Sequence, residues 1–257
     1  MYKQGKYPII AKSAVAKGIF DITIKCPEIA LSTKAGQFAQ VAADGFFLRR
    51  PISICDIDSE NGTIRLVFEV RGNGTDKISQ LRNGDLIDII APLGNGFKVL
   101  EQGKKAICIG GGIGTPPMVG IAKQYGKNAT VISGFRSANA VILQDDFKAF
   151  GCETILCTDD GTAGIHGFVT DALNDKLACE KPDIIYACGP MPMLKAIVAM
   201  AQEYGIETQI SLEQRMACGV GACLVCVCRT VRDGKEIFSH VCKDGPVFDG
   251  KEVDFNG

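Results

Sequence analysis

The sequence predicts an α+β chain in three parts: an N-terminal antiparallel β-barrel, a central α/β domain on a parallel sheet, and a small C-terminal cysteine-rich module. Three observations predict it. Up to about residue 100, apolar residues recur at every second position and glycine turns separate the runs. From about residue 103 to 210, short continuous apolar runs alternate with helix-like stretches. Beyond that, Cys218, Cys223, Cys226 and Cys228 crowd together and Cys242 follows. The expected boundaries are 1–100, 101–210 and 211–257.

In the first part, "FDITIK" alternates Phe20, Ile22 and Ile24 against Asp21, Thr23 and Lys25. "IRLVFEV" alternates Ile64, Leu66, Phe68 and Val70 against Arg65, Val67 and Glu69. Period two marks half-buried strands. The turns are "ADG" at 43–45, "ENG" at 60–62, "GNG" at 72–74 and "RNGD" at 82–85. Short strands at that spacing suggest a barrel or a sandwich.

In the second part, "KAICIG", "ATVISGF", "ETILCT" and "DIIYACG" read as buried parallel strands. The clearest helix is "PMPMLKAIVAMAQEYG". It places Met191, Leu194, Ile197, Val198 and Ala201 on one stripe, with Pro190 and Pro192 at its start and Gly205 at its end. In the third part, "TVRDGKEIF" reads as a hairpin.

The chain of 257 residues, 46% hydrophobic, can bury more than one core. Its 28 basic and 29 acidic residues nearly cancel and form no basic block, so no nucleic-acid partner is expected. The N-terminal stretch lacks the apolar centre of an export signal, and no apolar run approaches bilayer length. The expectation is a cytoplasmic protein with no membrane contact. Twelve cysteines then read as thiols or metal ligands rather than disulfides. For most of the singly placed ones, Cys26, Cys55, Cys108, Cys152, Cys157, Cys179 and Cys188, a small buried hydrophobe is the favoured reading. Only two histidines are present, which argues against a histidine-based metal site.

Three motifs carry chemistry. "AICIGGGIGTPPM" puts Gly110, Gly111, Gly112 and Gly114 between a buried strand and a helix, where a glycine turn brings backbone N–H groups close to a phosphate. Pro117 stands where a G-x-G-x-x-G fingerprint has its third glycine, so the reading as a nucleotide site rests on the parallel sheet around it. "YACGPMPM" ends another strand at Cys188, Gly189 and Pro190, and all these residues fall in one crevice if the strands are neighbours. "FLRRPISICDID" places Arg50 and Ser53 around a rigid proline, and "EVRGNGT" ends a strand at Gly74 and Thr75. Arginine and a glycine turn can hold a diphosphate.

Together, R-P-x-S on a barrel, G-G-G-x-G-x-x-P and C-G-P resemble the ferredoxin–NADP reductase superfamily. "RRPISICDID", "GGGIGTPPM", "TDDGTAGIHGFVTD", "CGPMPML" and "LEQRMACGVGACLVCVC" narrow the resemblance to the dihydroorotate dehydrogenase electron transfer subunits, over about residues 8–250. The resemblance implies that Arg50, Pro51, Ile52 and Ser53 line FAD, and that Val67, Phe68, Glu69, Gly74 and Thr75 complete its site. Ile52 stands where the broader superfamily prefers an aromatic residue. NAD would fall to Gly110, Gly111, Gly112, Gly114, Cys188, Gly189 and Pro190. Arg136 leaves the choice between NAD and NADP open; the resemblance implies NAD.

Cys218, Cys223 and Cys226 are spaced C-x4-C-x2-C and Cys242 follows after fifteen residues, which is the plant-type [2Fe–2S] pattern. A structural zinc site usually offers two C-x2–4-C pairs, and here the second half supplies only Cys242. Cys228 reads as a packed thiol. A flavin can exchange two electrons with a nicotinamide and one with an iron–sulfur cluster, so the chain is expected to join those regimes. It leaves no segment for an organic substrate. The resemblance therefore implies an NAD-linked oxidoreductase subunit in pyrimidine biosynthesis. Its partner would be an FMN-containing dihydroorotate dehydrogenase catalytic subunit, in a heterotetramer of two plus two. Two rivals remain: a related NAD(P)H oxidoreductase subunit serving ferredoxin or sulfide, and a zinc-stabilised binding module without activity.

Overall fold

The computed structural model describes residues 2–255. Strands β1 (Lys3–Ala16), β2 (Ile19–Lys25), β3 (Phe38–Val41), β4 (Arg50–Asp58), β5 (Thr63–Glu69) and β6 (Leu86–Leu93) close into an antiparallel barrel of order β1-β2-β5-β4-β3-β6. Helix α1 (Pro27–Ala30) precedes β3, and α2 (Asn73–Ser79) lies between β5 and β6. The alternation works as the pleat requires. Ile22, Ile24, Ile54, Ile64, Leu66 and Phe68 fill the barrel, each contributing about 1.5–3 kcal/mol relative to exposure. The opposite face is also covered: Cys55 and Val67 pack towards the second domain.

At 72–74 the strand ends as "GNG" predicts, but the chain winds on into α2 instead of making a simple turn. The cause lies one residue on. The Thr75 hydroxyl accepts from the N–H groups of Arg71 (3.0 Å) and Gly72 (3.2 Å), capping donors that a helix start would leave unpaired.

The second domain runs β7 (Ala106–Gly111), α3 (Pro116–Tyr125), β8 (Ala129–Phe135), α4 (Gln144–Ala149), β9 (Glu153–Thr158), β10 (Ile165–His166), α5 (Val169–Cys179), β11 (Ile184–Cys188), α6 (Met191–Glu203) and β12 (Glu207–Ser211). These six strands are parallel, in the order β10-β9-β8-β7-β11-β12. α3 and α4 cover one face through Met118, Val119, Ile121 and Phe147. α5 and α6 cover the other through Leu173, Leu177, Leu194 and Ile197. Of the stripe expected on α6, Leu194, Ile197, Val198 and Ala201 are buried, whereas Met191 is 43% exposed because it overhangs the groove described below.

The last segment forms a hairpin of β13 (Val227–Arg232) and β14 (Lys235–His240), then β15 (Val247–Asp249). Asp233 and Gly234, both at positive φ (51° and 73°), make its tight turn. The segment is not free-standing. β15 pairs antiparallel with β12 at the sheet edge. Cys226, Val241 and Cys242 share a core with Phe38 and Leu93 of the barrel and Ile210 of the sheet.

Ion pairs clamp the two larger domains. Arg65 of β5 holds Asp21 (2.6 Å) and also meets Asp146 of α4. Lys123 of α3 reaches Asp56 of β4 at 3.0 Å. Burial alone would lower the Arg65 pKa; its hydrogen bonds to the two carboxylates outweigh this and raise it. No described helix is long and apolar enough to cross a membrane.

Candidate functional site

A groove of about 870 Å³ opens between the domains. The barrel lines it with residues 46–51, the β11–α6 corner with Gly189, Pro190 and Met191, and the strap after β12 with residues 213–216. That volume lies in the range of small-molecule and cofactor sites.

β4 enters the groove at its first residues. Pro51 is exposed, Ser53 is half-buried, and Ile52 between them points into the barrel core at 6% exposure. Strand pleating thus leaves Ile52 little more than its backbone to offer the groove. Phe68 also faces the barrel core, and Val67 packs towards the second domain. Glu69 accepts from Arg71 at 2.8 Å, and Arg71 reaches Glu213 of the strap at 3.8 Å. The Arg50 guanidinium carbon lies 5.0 Å from the Phe46 ring centroid, and Nη1 donates to the Leu48 carbonyl. The guanidinium covers Gly74 so closely that a Cβ there would lie inside the 3.0 Å limit that side chains respect. Arg50 is thus brought onto the turn of Gly74 and Thr75, distant from it in sequence, an arrangement of the kind a diphosphate takes.

Across the groove the glycine turn meets the Cys188–Pro190 corner. β7 and β11 are neighbours, with Gly110 in register with Cys188. Packing explains four glycines. A Cβ at Gly110 would stand 2.6 Å from Thr115 Cα, one at Gly111 2.7 Å from Met193 Sδ, and one at Gly189 2.5 Å from Met193 Cε. One at Gly114 would strike the Cys188 carbonyl. Gly112 differs: its φ is +54° and nothing lies within 4 Å of a Cβ placed on it. The crest of the turn is thus bare backbone, free for a ligand to approach. Thr115, fully buried at the start of α3, has a hydroxyl with no hydrogen-bond partner among the described residues. Cys188 is half-buried; burial pushes its thiol up to about 12 against an opposing hydrogen bond with Ser211. These residues suit a dinucleotide at the carboxyl end of a parallel sheet.

The four cysteines gather as two pairs. The Cys218 N–H donates to the Cys223 sulfur at 3.5 Å, and the Cys242 N–H to the Cys226 sulfur at 3.4 Å. Among the described residues no three His, Cys, Asp or Glu side chains stand as ligands of a single ion. Two pairs are what a two-iron cluster takes. Backbone donors converge on the sulfurs: Val220 (3.4 Å) and Ala222 (3.3 Å) on Cys218, Gly221 (3.1 Å) on Cys242, and the Cys242 N–H (3.4 Å) on Cys226. Burial would raise the Cys218 pKa, but the N–H groups and Cys223 outweigh it and bring the thiol to about 6. Burial first, then Cys226, pushes Cys242 up to about 12. The donor set fits thiolate-held [2Fe–2S], whose sulfurs accept such bonds. Cys228 stays outside, half-buried in β13, with its thiol raised to about 11 chiefly by burial.

Several groove residues were assigned no binding role by the sequence: Phe46, Leu48, Met191 and the strap residues Glu213–Met216. Their signal is tertiary, since a loop, a helix start and a strap meet only in the fold. Gln40 was also missed, although a lone glutamine inside the apolar strand "FAQVAA" is a legible anomaly.

Residues 213–254 match the family model of the iron–sulfur cluster binding domain of dihydroorotate dehydrogenase B. The chain is 38% identical to the dihydroorotate dehydrogenase B (NAD(+)) electron transfer subunit of Geobacillus sp. (strain WCH70), over 98% of this chain and 99% of that one. It is 40% identical to the same subunit from Listeria monocytogenes serotype 4b (strain F2365), over 97% and 98%. Among solved structures, a chain of an NADH-dependent reduced ferredoxin–NADP oxidoreductase superposes with a TM-score of 0.85 at 33% identity, covering 98% of this chain and 91% of that one. The ferredoxin reductase of carbazole 1,9a-dioxygenase shares the fold, with a TM-score of 0.69 at 20% identity over 80% of this chain and 67% of that one.

Proposed function

The chain belongs to the family of dihydroorotate dehydrogenase B (NAD(+)) electron transfer subunits, and from that premise we propose that it links an FMN-containing catalytic subunit to NAD in pyrimidine biosynthesis. Electrons pass from the partner through [2Fe–2S] and FAD to NAD. The observation that carries this reading is the convergence of backbone N–H groups on the sulfurs of four cysteines around the C-x4-C loop, on a module packed against the barrel that lines the groove. Bound in this chain, a flavin supplies the exchange between two-electron and one-electron steps.

The residues divide that work. In residues 1–100, Arg50 binds the FAD diphosphate with the backbone at Gly74 and the turn that Thr75 caps. Pro51 and Ser53 would meet the flavin, with Ile52 and Phe68 in the barrel core and Val67 towards the second domain supporting that wall. Glu69 orients Arg71 towards the strap. In residues 101–210, the bare crest at Gly112 admits the dinucleotide, and Gly110, Gly111, Gly114 and Gly189 let the two corners close on each other. Cys188 and Pro190 would flank the nicotinamide end, and Arg136, exposed after β8, would be available to the adenosine end. In residues 211–257, Cys218, Cys223, Cys226 and Cys242 hold the cluster.

The outer end of the wire is the exposed side of this module. Leu224 is 61% exposed and Val225 51%, both next to the exposed Cys223. Phe238 on the hairpin is 62% exposed. Exposed apolar side chains beside a cluster ligand, as Leu224 and Val225 are, favour a protein partner, and the catalytic subunit docks there, two of each chain in the assembly. We place the complex in the cytoplasm.

An anaerobic visible spectrum before and after NADH tests the reading. A flavin band with an iron–sulfur shoulder, both bleached by NADH, is expected. With the catalytic subunit added, dihydroorotate should reduce NAD. Flavin without iron would remove the wire. A cluster that NADH reduces, in a chain that gives no dihydroorotate-dependent NADH, would favour the ferredoxin-linked reading that the structural likeness at 33% identity supports.

A further inference from the structure

One buried side chain joins the barrel to the cluster loop. On β3, Ala39 and Val41 point into the barrel, so Phe38 and Gln40 point out of it. Phe38 enters the core that holds Cys226 and Cys242. Gln40 is fully buried, and neither its Oε1 nor its Nε2 has a hydrogen-bond partner among the described residues. Carboxamides are rarely buried without partners, because desolvation is not recovered.

The amide is aimed. A Cβ at Gly219 would stand 2.6 Å from Gln40 Cγ and 2.7 Å from Nε2, so the amine end presses on the loop between Cys218 and Val220. Gly219 has φ +73° and is itself buried. This loop already turns the N–H groups of Val220, Gly221 and Ala222 onto cysteine sulfurs. At its other side Gln40 is in register with Pro51 of β4, and its carbonyl accepts from Arg49 Nη1 at 3.4 Å. Gln40 therefore stands between the strand that carries Arg50–Ser53 and the loop that carries the cluster ligands.

We propose that Gln40 is a positioning residue of the cluster, its buried carboxamide N–H reaching the sulfur face of bound [2Fe–2S] from the barrel side. The inference rests on the cluster reading above. A hydrogen bond to sulfur stabilises the more negative, reduced form and raises the potential. Removing it makes the cluster harder to reduce. The strand beside the flavin thereby also helps to set the driving force between the two cofactors.

The test uses the full chain with its cofactors. Gln40→Met and Gln40→Glu both lack the N–H donor and keep the length of the side chain. Midpoint potentials of cluster and flavin are read by EPR and visible titration, with iron per chain and circular dichroism as controls. In both variants the reduction equilibrium of the cluster should fall about tenfold, a drop of about 59 mV for one electron, with the flavin potential unmoved. Unchanged cluster potentials would overturn the proposal, as would a shift confined to the flavin. If only one variant keeps its iron, that variant decides. Loss of iron from both with the fold intact would also overturn it, making Gln40 a wedge beneath Gly219 and nothing more. Wild-type protein with no cluster signal would instead strike the iron–sulfur reading itself.

Discussion

Gly74→Ala separates cofactor binding from folding, because the added methyl displaces the Arg50 side chain and leaves the Gly74 backbone in place. Gly74 is buried in the first turn of α2 and lacks a positive φ, so alanine fits its backbone. In a helix alanine is favoured over glycine by up to about 1 kcal/mol. The atoms nearest the added Cβ all belong to the guanidinium of Arg50, the far end of a flexible side chain. Apoprotein stability should therefore hold or rise. FAD should lose the arginine's charge-assisted contact with its diphosphate, about 1.5–3 kcal/mol. At about 1.4 kcal/mol per decade this weakens FAD binding tenfold to a hundredfold. The assay is a flavin-fluorescence titration of deflavinated protein beside a thermal melt. Arg50→Ala should match the loss, and the double variant should add little, because both changes remove one interaction. Equal FAD affinity in Gly74→Ala, or losses that simply add, would refute this arrangement.

Cys223→Ser should abolish the visible iron–sulfur shoulder and the flow of electrons to the partner while NADH–dye activity persists; unchanged iron content would sink its assignment as a ligand. Gly114→Ala drives a methyl into the Cys188 carbonyl, backbone against backbone. It should cost about 1–3 kcal/mol and raise the KM for NADH, with FAD and iron retained; an unaltered KM would remove the turn from the NAD site. Arg65→Ala strands Asp21 and Asp146, both partly buried. A loss of about 2 kcal/mol should lower Tm by about 4–8 °C, with FAD binding little changed; an unmoved Tm would show that the clamp contributes nothing.

The barrel was legible at β2 and β5, because each has one face in the barrel core and the pleat converts that into period two. Ile22, Ile24, Ile64 and Leu66 fall as the alternation predicts. The parallel strands were legible for the opposite reason: helices cover both faces, so "AICIG" and "IIYAC" read as unbroken apolar runs. Where local reading failed, a contact from outside the segment or a single capping hydroxyl had decided the outcome. Thr75 turned the "GNG" bend into a helix, and the groove drew Met191 out of its stripe.

The sequence by itself determined the cysteine spacing, the glycine turn, the R-P-x-S strand and the family, since these are properties of neighbours along the chain. Only the tertiary structure decided that Arg50 lies over Gly74, that four of the five glycines at the nucleotide end serve packing while Gly112 stays bare, and that Cys218 pairs with Cys223 and Cys226 with Cys242. The burial of Gln40 beneath Gly219, 179 residues further along the chain, belongs with these. The physical reason is common to all: period and spacing report which face of an element is buried, and they carry no information about which distant element buries it.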